Sequence, residues 1–374
     1  MSLLIDDDTR MLRDSAQRFF AGSDSVRSLR RLRDSRDLTG IAHGTWNGIV
    51  ELGLSGVLIP EQFGGSGLDT MASIQISEMM GASLATGPFL SSAVMSSTIL
   101  LACNNDRIKN DILPAIASGS IVTLASEETS RHNPLSISAT VGNQNGRYVL
   151  SGNKIAVIDG NIAEKLIVPA KSTDNGQVLL LLVNSDANGI VTKVGMGIDS
   201  HPVVEIAFSN VALGPENVIS DDERSIDYLD KAFDIGRIHL AAEMLGAAQE
   251  AFDRTVDYLK TRVQFGRKIG EFQALQHRAA LLFGELEIAR SLVLKSASIY
   301  DTDQARSAEF ASLAKARVGE IAKHVTTEAV QLHGGIGVTD DFDIGLFLKR
   351  VKVASERLGD TSFHAERYAG LQGL

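Results

Sequence analysis

The stretch RVQFGRKIGEFQALQHRAA, residues 262–280, interrupts a long helical pattern that resumes directly after it. Apolar residues recur at three- and four-residue spacing on both sides, as in an amphipathic helix. Gly266 permits backbone conformations that other residues resist, and Arg262 carries a planar fork of donors suited to phosphate oxygens. Phe265 is apolar in an otherwise polar break, so we expect it to pack into a surface. The break is either a helix–helix turn with solvated arginines or a site for an anion.

A second break lies at QLHGGIG, residues 331–337, where another long helical pattern ends. The adjacent Gly334 and Gly335 leave bare backbone amides that a ligand can approach closely. The alternative is a helix C-cap followed by a loop. The stretch PEQFGGSGLD at 60–69 is interpreted as a loop whose Asp69 caps the next helix. Because no strand leads into it, a phosphate-binding glycine loop is not favoured there.

Composition limits the function classes. The chain has 374 residues, 44% of them hydrophobic, enough for two or three domains. Its net charge of −10 argues against a nucleic-acid binder, which normally carries a basic field. With 1 cysteine, Cys103, no disulfide can form within the chain, and we expect no metal site. The most apolar stretch, 90–103, is shorter than the roughly 20 residues of a membrane helix, and the acidic start lacks a secretory signal pattern. We expect no membrane insertion and a cytoplasmic protein.

The sequence pattern changes twice along the chain. Residues 1–118 show helical spacing, 119–222 are short runs rich in Val, Ile and Leu between turn signals, and 223–374 are helical again. The sequence NQNG at 143–146 predicts a β-hairpin. We therefore predict an α+β protein with an N-terminal helical domain, a middle antiparallel β domain and a C-terminal four-helix bundle. Nothing alternates strand–helix–strand, which argues against a Rossmann sheet.

Together, these features resemble the acyl-CoA dehydrogenases, flavoproteins that introduce a double bond α,β to a thioester carbonyl. RVQFG is similar to the R-x-x-F-G block of that family, QLHGGIG to its Q-x-x-G-G-x-G block, and LIPEQFGGSGLD to its N-terminal P-E-x-x-G-G-x-G. The resemblance covers essentially the whole chain. It implies FAD, an acyl-CoA substrate of fatty-acid or steroid side-chain β-oxidation, an electron-transfer flavoprotein as acceptor, and a homo- or hetero-oligomer, either dimer or tetramer.

The resemblance also implies where FAD binds. In the family, the flavin lies between the β domain and the bundle, and a neighbouring subunit completes the site. Arg262 would bind the pyrophosphate, with Gln264 and Phe265 beside it. Gln331, Gly334 and Gly335 match the residues that line the ADP half from across a subunit interface. The other residues that match flavin contacts are Leu124, Ala125 and Ser126 on the first flavin-facing strand, and Thr361.

A second flavin-facing strand is expected over 152–160. Family members often have an aromatic residue and then Ser or Thr there, whereas this chain has Ala156 and Ile158. Asp234 and Arg237 match family residues near the CoA arm of the substrate. For Arg237 the alternative is a solvated arginine on a helix surface.

The general base of the family has no obvious counterpart. A glutamate in an E-G-T loop usually removes the α-proton, but Gly359 stands at that position here, followed by Asp360. A second family position precedes the arginine matched by Arg237, and Gly236 occupies it. Glu243 lies seven residues further, on the same helix face and about 10.5 Å along the axis, and Asp360 is the other candidate. The alternative for Glu243 is a pair with His239. The N–H of Gly359 would still polarise a thioester, which assigns Gly359 to substrate binding.

Three functions stay open from the sequence. The chain is a working acyl-CoA dehydrogenase with Glu243 as base, the non-catalytic half of a heteromeric dehydrogenase that completes a shared FAD site, or a cofactor-free helical assembly protein. Loss of side-chain bulk at Ala156, Gly236 and Gly359 favours branched or polycyclic acyl groups over short linear ones.

Overall fold

The structure, a computed structural model, describes residues 5–144 and 146–374. Its α-helices are α1 (Asp7–Gly22), α2 (Ser25–Ser35), α3 (His43–Glu51), α4 (Thr70–Ser83), α5 (Ser97–Ala102), α6 (Asp106–Ala117), α7 (Ser225–Thr261), α8 (Gln273–Thr302), α9 (Gln304–His333), α10 (Ile344–Glu356) and α11 (Thr361–Leu371). A π-helix, Phe89–Ser96, leads directly into α5.

The strands are β1 (Val122–Leu124), β2 (Thr140–Gln144), β3 (Arg147–Lys154), β4 (Lys165–Ser172), β5 (Val178–Asn184), β6 (Ile190–Met196), β7 (Pro202–Leu213), β8 (Val218–Ser220), β9 (Val263–Gln264) and β10 (Arg267–Lys268). This order of helices, strands and helices confirms the predicted α+β class.

Backbone contacts divide the chain into two compact units. The sheet unit comprises Arg31–Asp69 and Thr86–Gly236. The helical unit holds the rest of the described chain, including Thr70–Ala85 and Arg237–Leu374. These two units do not coincide with the three domains predicted from the sequence. The domain boundaries at 118 and 222 therefore stay predictions.

The sheet unit is built on one sheet with strand order β6-β7-β3-β2-β4-β5-β8, and β1 lies beside β4. Most neighbouring strands are antiparallel, as predicted, but β1 and β2 both run parallel to β4. Parallel neighbours need long connections, which the segments between these strands supply. Pairing of β2 with β3 confirms the hairpin predicted at 143–146, although Asn145 lies outside the described residues. The apolar runs of β4 and β5 are buried throughout their centres and form much of the core.

The helical unit is organised around α9, which packs against α8, α10 and α11. Its buried residues Ala314, Val318, Ile321 and Val325 recur every three or four positions, so one stripe faces its neighbours. In the same unit, α4 lies close to α7. A side chain at Gly81 would overlap the backbone of Glu243, so only glycine permits this approach.

Candidate functional site

The break after α7 is a small β-hairpin rather than an irregular turn. Strands β9 and β10 pair antiparallel, with Gln264 opposite Arg267. At the tip, Phe265 (φ 54°) and Gly266 (φ 78°) both have left-handed backbone, as a two-residue type I′ turn requires. The sequence analysis missed this hairpin, although a glycine as the second tip residue is its usual signal.

Phe265 is 91% exposed at the hairpin tip. The expectation that it packs into a surface is therefore wrong for the single chain, because the turn directs the ring outward. Its ring is in edge contact with Phe272, 6.2 Å between centroids. Arg262 and Gln264 are exposed too. The hairpin thus presents a guanidinium and an aromatic ring outside the fold.

The glycine turn follows α9, which ends at His333 as predicted. Gly334 has φ 66° and ψ −146°, a conformation that essentially only glycine adopts. A side-chain carbon added at Gly334 or Gly335 would meet no described atom within 4 Å. Open space therefore lies beside both residues, and Gln331 on the preceding turn is exposed.

A ring stack joins these two segments. The Tyr258 and His333 centroids are 4.5 Å apart, with 25° between ring planes. Tyr258 lies one helical turn before Arg262, and His333 directly precedes Gly334. The structure therefore brings the hairpin and the glycine turn, which we call the open end of the helical unit, close together. A guanidinium with nearby backbone amides is a donor set that suits a diphosphate.

In the sheet unit, the predicted contacts Leu124 and Ser126 lie at the end of β1 and are 6% and 7% exposed. The Thr123 hydroxyl donates to the carbonyl oxygen of Ile158 at 2.6 Å. The two stretches that the resemblance assigns to the flavin are therefore bonded to each other.

The strand predicted over 152–160 is wrong beyond Lys154, where β3 ends. Ala156 and Asp159 have left-handed φ values of 50° and 56°, which no strand accommodates. Lys154 itself is fully buried, and its Nζ donates to Glu128 Oε1 at 2.7 Å. Burial lowers the pKa of Lys154. The sequence analysis missed this pair because a lysine on an alternating strand gives no sign of burial.

The turn between α10 and α11 contains the loop position of the general base. Leu358 (φ 55°) and Gly359 (φ 103°) are left-handed and buried. Three basic side chains bond their carbonyl groups. Arg237 Nε and His364 Nε2 donate to Leu358 O at 3.3 and 2.9 Å, and Lys315 Nζ donates to Gly359 O at 2.9 Å. We call Leu358–Gly359 and these three side chains the braced turn.

Electrostatics in the braced turn follow from burial. Burial and then the charge of Arg237 lower the pKa of Lys315 to about 7. Burial, followed by the charges of Arg237 and Lys315, lowers the pKa of His364 to about 2. Both residues were missed by the sequence analysis, because isolated basic residues in a helical pattern are usually solvated.

Arg237 was expected near the CoA arm of a substrate or on a solvated surface. It is 2% exposed, and its guanidinium carbon lies 5.7 Å from the Phe363 ring centroid. The solvated alternative is therefore wrong. Asp234 is also buried, at 4%. Contact of either residue with the CoA arm stays a prediction that this burial does not favour.

Both candidate bases have structural partners. Glu243 Oε1 accepts a hydrogen bond from Arg350 Nη1 at 2.9 Å. This partner lies on α10, whereas His239, the partner considered from the sequence, lies one turn back on α7. The His239 ring lies within hydrogen-bond distance of the hydroxyls of Ser73 and Ser77. Asp360 is the N-cap of α11 and accepts from the amide of Phe363 at 2.8 Å.

Neither a metal centre nor a membrane helix is found in 5–144 and 146–374. No group of three or more His, Cys, Asp or Glu there could hold a metal ion. No helix in those ranges is long and apolar enough to span a bilayer.

Models of three protein domains match most of the chain. They are the acyl-CoA dehydrogenase N-terminal domain over 6–120, its middle domain over 123–211 and its C-terminal domain over 226–369. The chain belongs to the acyl-CoA dehydrogenase family.

Related acyl-CoA dehydrogenases support this assignment. The probable acyl-CoA dehydrogenase YngJ of Bacillus subtilis (strain 168) is 30% identical over 320 residues, covering 83% of this chain and 84% of that protein. The butyryl-CoA dehydrogenase of Megasphaera elsdenii has the same fold, with a TM-score of 0.91 at 23% identity over 100% of both chains. A variant of the steroid acyl-CoA dehydrogenase Tcur3481-Tcur3483 is similar at 28% identity and TM-score 0.87, covering 98% of each chain.

The predicted site residues of this acyl-CoA dehydrogenase fall into two groups. Arg262, Gln264, Gly334 and Gly335 are exposed at the open end and carry donors. The carboxylates proposed as base are bonded to other parts of the fold. Thr361, matched to the flavin, begins α11 beside Asp360 and is partly buried.

Proposed function

We propose that this chain binds FAD and acts in the α,β-dehydrogenation of an acyl-CoA thioester as the subunit that lacks the general base. A second, homologous chain would supply the carboxylate and complete the shared site. The observation that carries this proposal is the use of both candidate carboxylates, Glu243 and Asp360, in structural contacts.

The open end supports the FAD part of the proposal. The Arg262 guanidinium and the exposed backbone at Gly334 and Gly335 would hold the pyrophosphate and ADP half, with Gln264, Phe265 and Gln331 alongside. The resemblance assigns Leu124 and Ser126 to contacts with a flavin ring system. The chemistry supplied by bound FAD is hydride acceptance.

Two arguments support the absence of a general base: glycines occupy both family positions of the base, and the two candidate carboxylates are hydrogen-bonded within the fold. The Glu243 carboxylate accepts a charge-assisted hydrogen bond from the buried Arg350, and this contact ties it to α10. A capping carboxylate is likewise fixed on the first turn of its own helix. Gly359 has no side chain to take a proton, and three basic groups hold its turn. The chain's own residues therefore bind and orient, but none of the proposed positions moves the α-proton.

The two-part designation of the steroid acyl-CoA dehydrogenase Tcur3481-Tcur3483, which resembles this chain at 28% identity, is in line with a two-chain assembly. A self-sufficient enzyme using Glu243 is the competing function, because the side chain of Glu243 keeps 14% exposure and lies on α7.

The test is to purify the chain alone and co-expressed with a homologous chain, and to assay acyl-CoA oxidation with a ferrocenium acceptor. We expect the single chain to be yellow with a flavin spectrum and without turnover, and the pair to be active. Robust turnover by the single chain would reject the proposal. Loss of that turnover in Glu243→Gln, with FAD retained, would establish the self-sufficient enzyme. A colourless protein that takes up no FAD would leave a helical assembly protein.

We also propose a branched or polycyclic acyl group, transfer of electrons to an electron-transfer flavoprotein, and action in the cytoplasm. The small residues at positions 156, 236 and 359 support the first. A panel of acyl-CoA substrates on the active pair tests it, and preference for short linear acyl groups would contradict it.

A further inference from the structure

The π-helix contains a concentration of buried hydroxyl groups. Ser91, Ser92 and Ser96 lie in it, Ser97 follows directly, and each is at most 1% exposed. A hydroxyl buried without a hydrogen bond is costly, so these four side chains need partners. Their partners show what the helix does for the sheet unit.

Two of these serines bond the backbone of one residue of β1. The Oγ of Ser92 accepts from the amide of Val122 at 3.1 Å and donates to the carbonyl oxygen of Ser120 at 3.2 Å. The Oγ of Ser96 lies 2.8 Å from the carbonyl oxygen of Val122, and also 2.8 Å from that of Ser91, so its proton serves either acceptor. The π-helix therefore bonds both backbone groups of Val122 as a neighbouring strand would.

The edge of β1 bonded in this way is the one away from β4. Ile121 accepts from the amide of Glu164 at 2.8 Å, and the amide of Ala125 donates to Ile167 at 2.9 Å, so residues 121 and 125 bond the β4 side. Backbone groups alternate between the two edges of a strand. Those of Leu124, the last residue of β1, therefore point to the same edge as those of Val122.

The same π-helix fixes the second stretch assigned to the flavin. Ser91 donates to Asp159 Oδ2 at 2.6 Å. Asp159 has left-handed backbone, φ 56°, in the turn whose Ile158 carbonyl is bonded by Thr123. One helix thus bonds both the first residue of the strand and Asp159 in the turn.

We infer that Ser92 and Ser96 are positioning residues for the flavin. They fix Val122 so that Leu124, the next residue on that edge, meets the ring system in one register. This inference rests on the proposed function, since it requires FAD beside Leu124. The serines act through β1 and do not themselves touch the cofactor.

The test compares Ser92→Ala, Ser96→Ala and the double variant with Ser97→Ala. Ser97 is a matched control because it is equally buried, and its hydroxyl bonds the carbonyl oxygen of Ser92 within the helix at 3.1 Å, without contact to β1. Titration of each apoprotein with FAD gives the Kd, visible spectroscopy reports the flavin environment, and thermal unfolding of the apoprotein reports the loss of a buried hydrogen bond.

We expect the double variant to raise the Kd for FAD about tenfold, because binding must then order the part of β1 that these hydrogen bonds hold in place in the wild type. We also expect a shift of the visible flavin spectrum. Ser97→Ala should lower the unfolding temperature by a comparable amount. Its Kd for FAD should stay within about threefold of the wild-type value, and its flavin spectrum should be unchanged. If the double variant does not fold, each single variant should show a smaller change of the same sign. Equal Kd values and spectra in all variants would overturn the inference, as would equal changes in Ser97→Ala. A wild-type protein that binds no FAD would instead refute the proposed function.

Discussion

The open end and the braced turn are both loops that end long helices of the same unit, yet their side chains are used in opposite ways. At the open end, Arg262 and Phe265 are exposed and the glycine backbone faces open space. At the braced turn, Arg237, Lys315 and His364 are buried and donate to the chain's own carbonyl groups. Basic groups at the open end remain available to an anion, whereas those at the braced turn stabilise the fold. The contrast agrees with the proposed function, in which the chain keeps a binding site and a second chain supplies the base.

The largest expected effect concerns Glu243. If its carboxylate is structural, Glu243→Gln removes a partner of the buried Arg350 and should lower the free energy of unfolding by about 3 kcal/mol, because breaking a buried ion pair leaves a charge poorly compensated. Denaturant unfolding measures this loss. The control is Glu250→Gln, which breaks the partly exposed pair with Arg254 one turn away on the same helix and should cost under about 1 kcal/mol.

Equal small losses of stability in both variants would mean that the Glu243–Arg350 contact is not a structural ion pair. Glu243 would then be available as the base, and the chain would not need a second chain to supply one.

Arg262 is the corresponding test at the open end. Arg262→Ala should weaken FAD binding about 100-fold, because a charge-assisted contact to a phosphate group is lost. Stability of the apoprotein should change by less than about 0.5 kcal/mol, since the side chain is exposed. Fluorescence titration with FAD and denaturant unfolding measure the two quantities. Lys260→Ala is the control, removing an exposed positive charge two residues earlier. A similar loss of FAD binding in both variants would show a general charge effect and remove the special role of Arg262.

The open end was easier to predict from the sequence than the braced turn. The helix breaks, the strand-rich middle and the glycine turn are local patterns, and they appear where spacing and glycine place them. The hairpin tip at Phe265 was missed because an aromatic residue rarely takes a left-handed backbone.

The braced turn could not be predicted, because it joins Arg237, Lys315 and His364 from three helices to one loop. Spacing along a sequence reports which face of a helix is apolar, but not which distant carbonyl a buried cation meets. The contact of Glu243 with Arg350 on α10 could not be predicted for the same reason.

The lowered pKa of His364 in the braced turn predicts how stability depends on pH. The folded pKa of His364, about 2, lies below its ordinary 6.5. The unfolded chain therefore binds a proton that the folded chain does not between these values, and stability is lost as the pH falls from 6.5. At pH 5 the loss from this residue should be about 2 kcal/mol. Unfolding free energies measured from pH 7.5 to pH 4.5 in the wild type and in His364→Gln check it, since the variant should lose less stability over that range. Parallel profiles would show that His364 is not held neutral by the braced turn.

The smallest expected effect separates the two roles considered for Asp360. As an N-cap it accepts the amide of Phe363, so Asp360→Ala should cost about 1 kcal/mol of stability. Asp360→Asn keeps a capping oxygen and should cost only a few tenths. Asparagine cannot take a proton from a substrate, so a base at this position would be lost in both variants. If the active two-chain assembly retains turnover with Asp360→Asn while Asp360→Ala only unfolds more easily, the carboxylate acts as a cap. Loss of turnover in Asp360→Asn at unchanged stability would make Asp360, directly after the braced turn, the base and would contradict the proposed function.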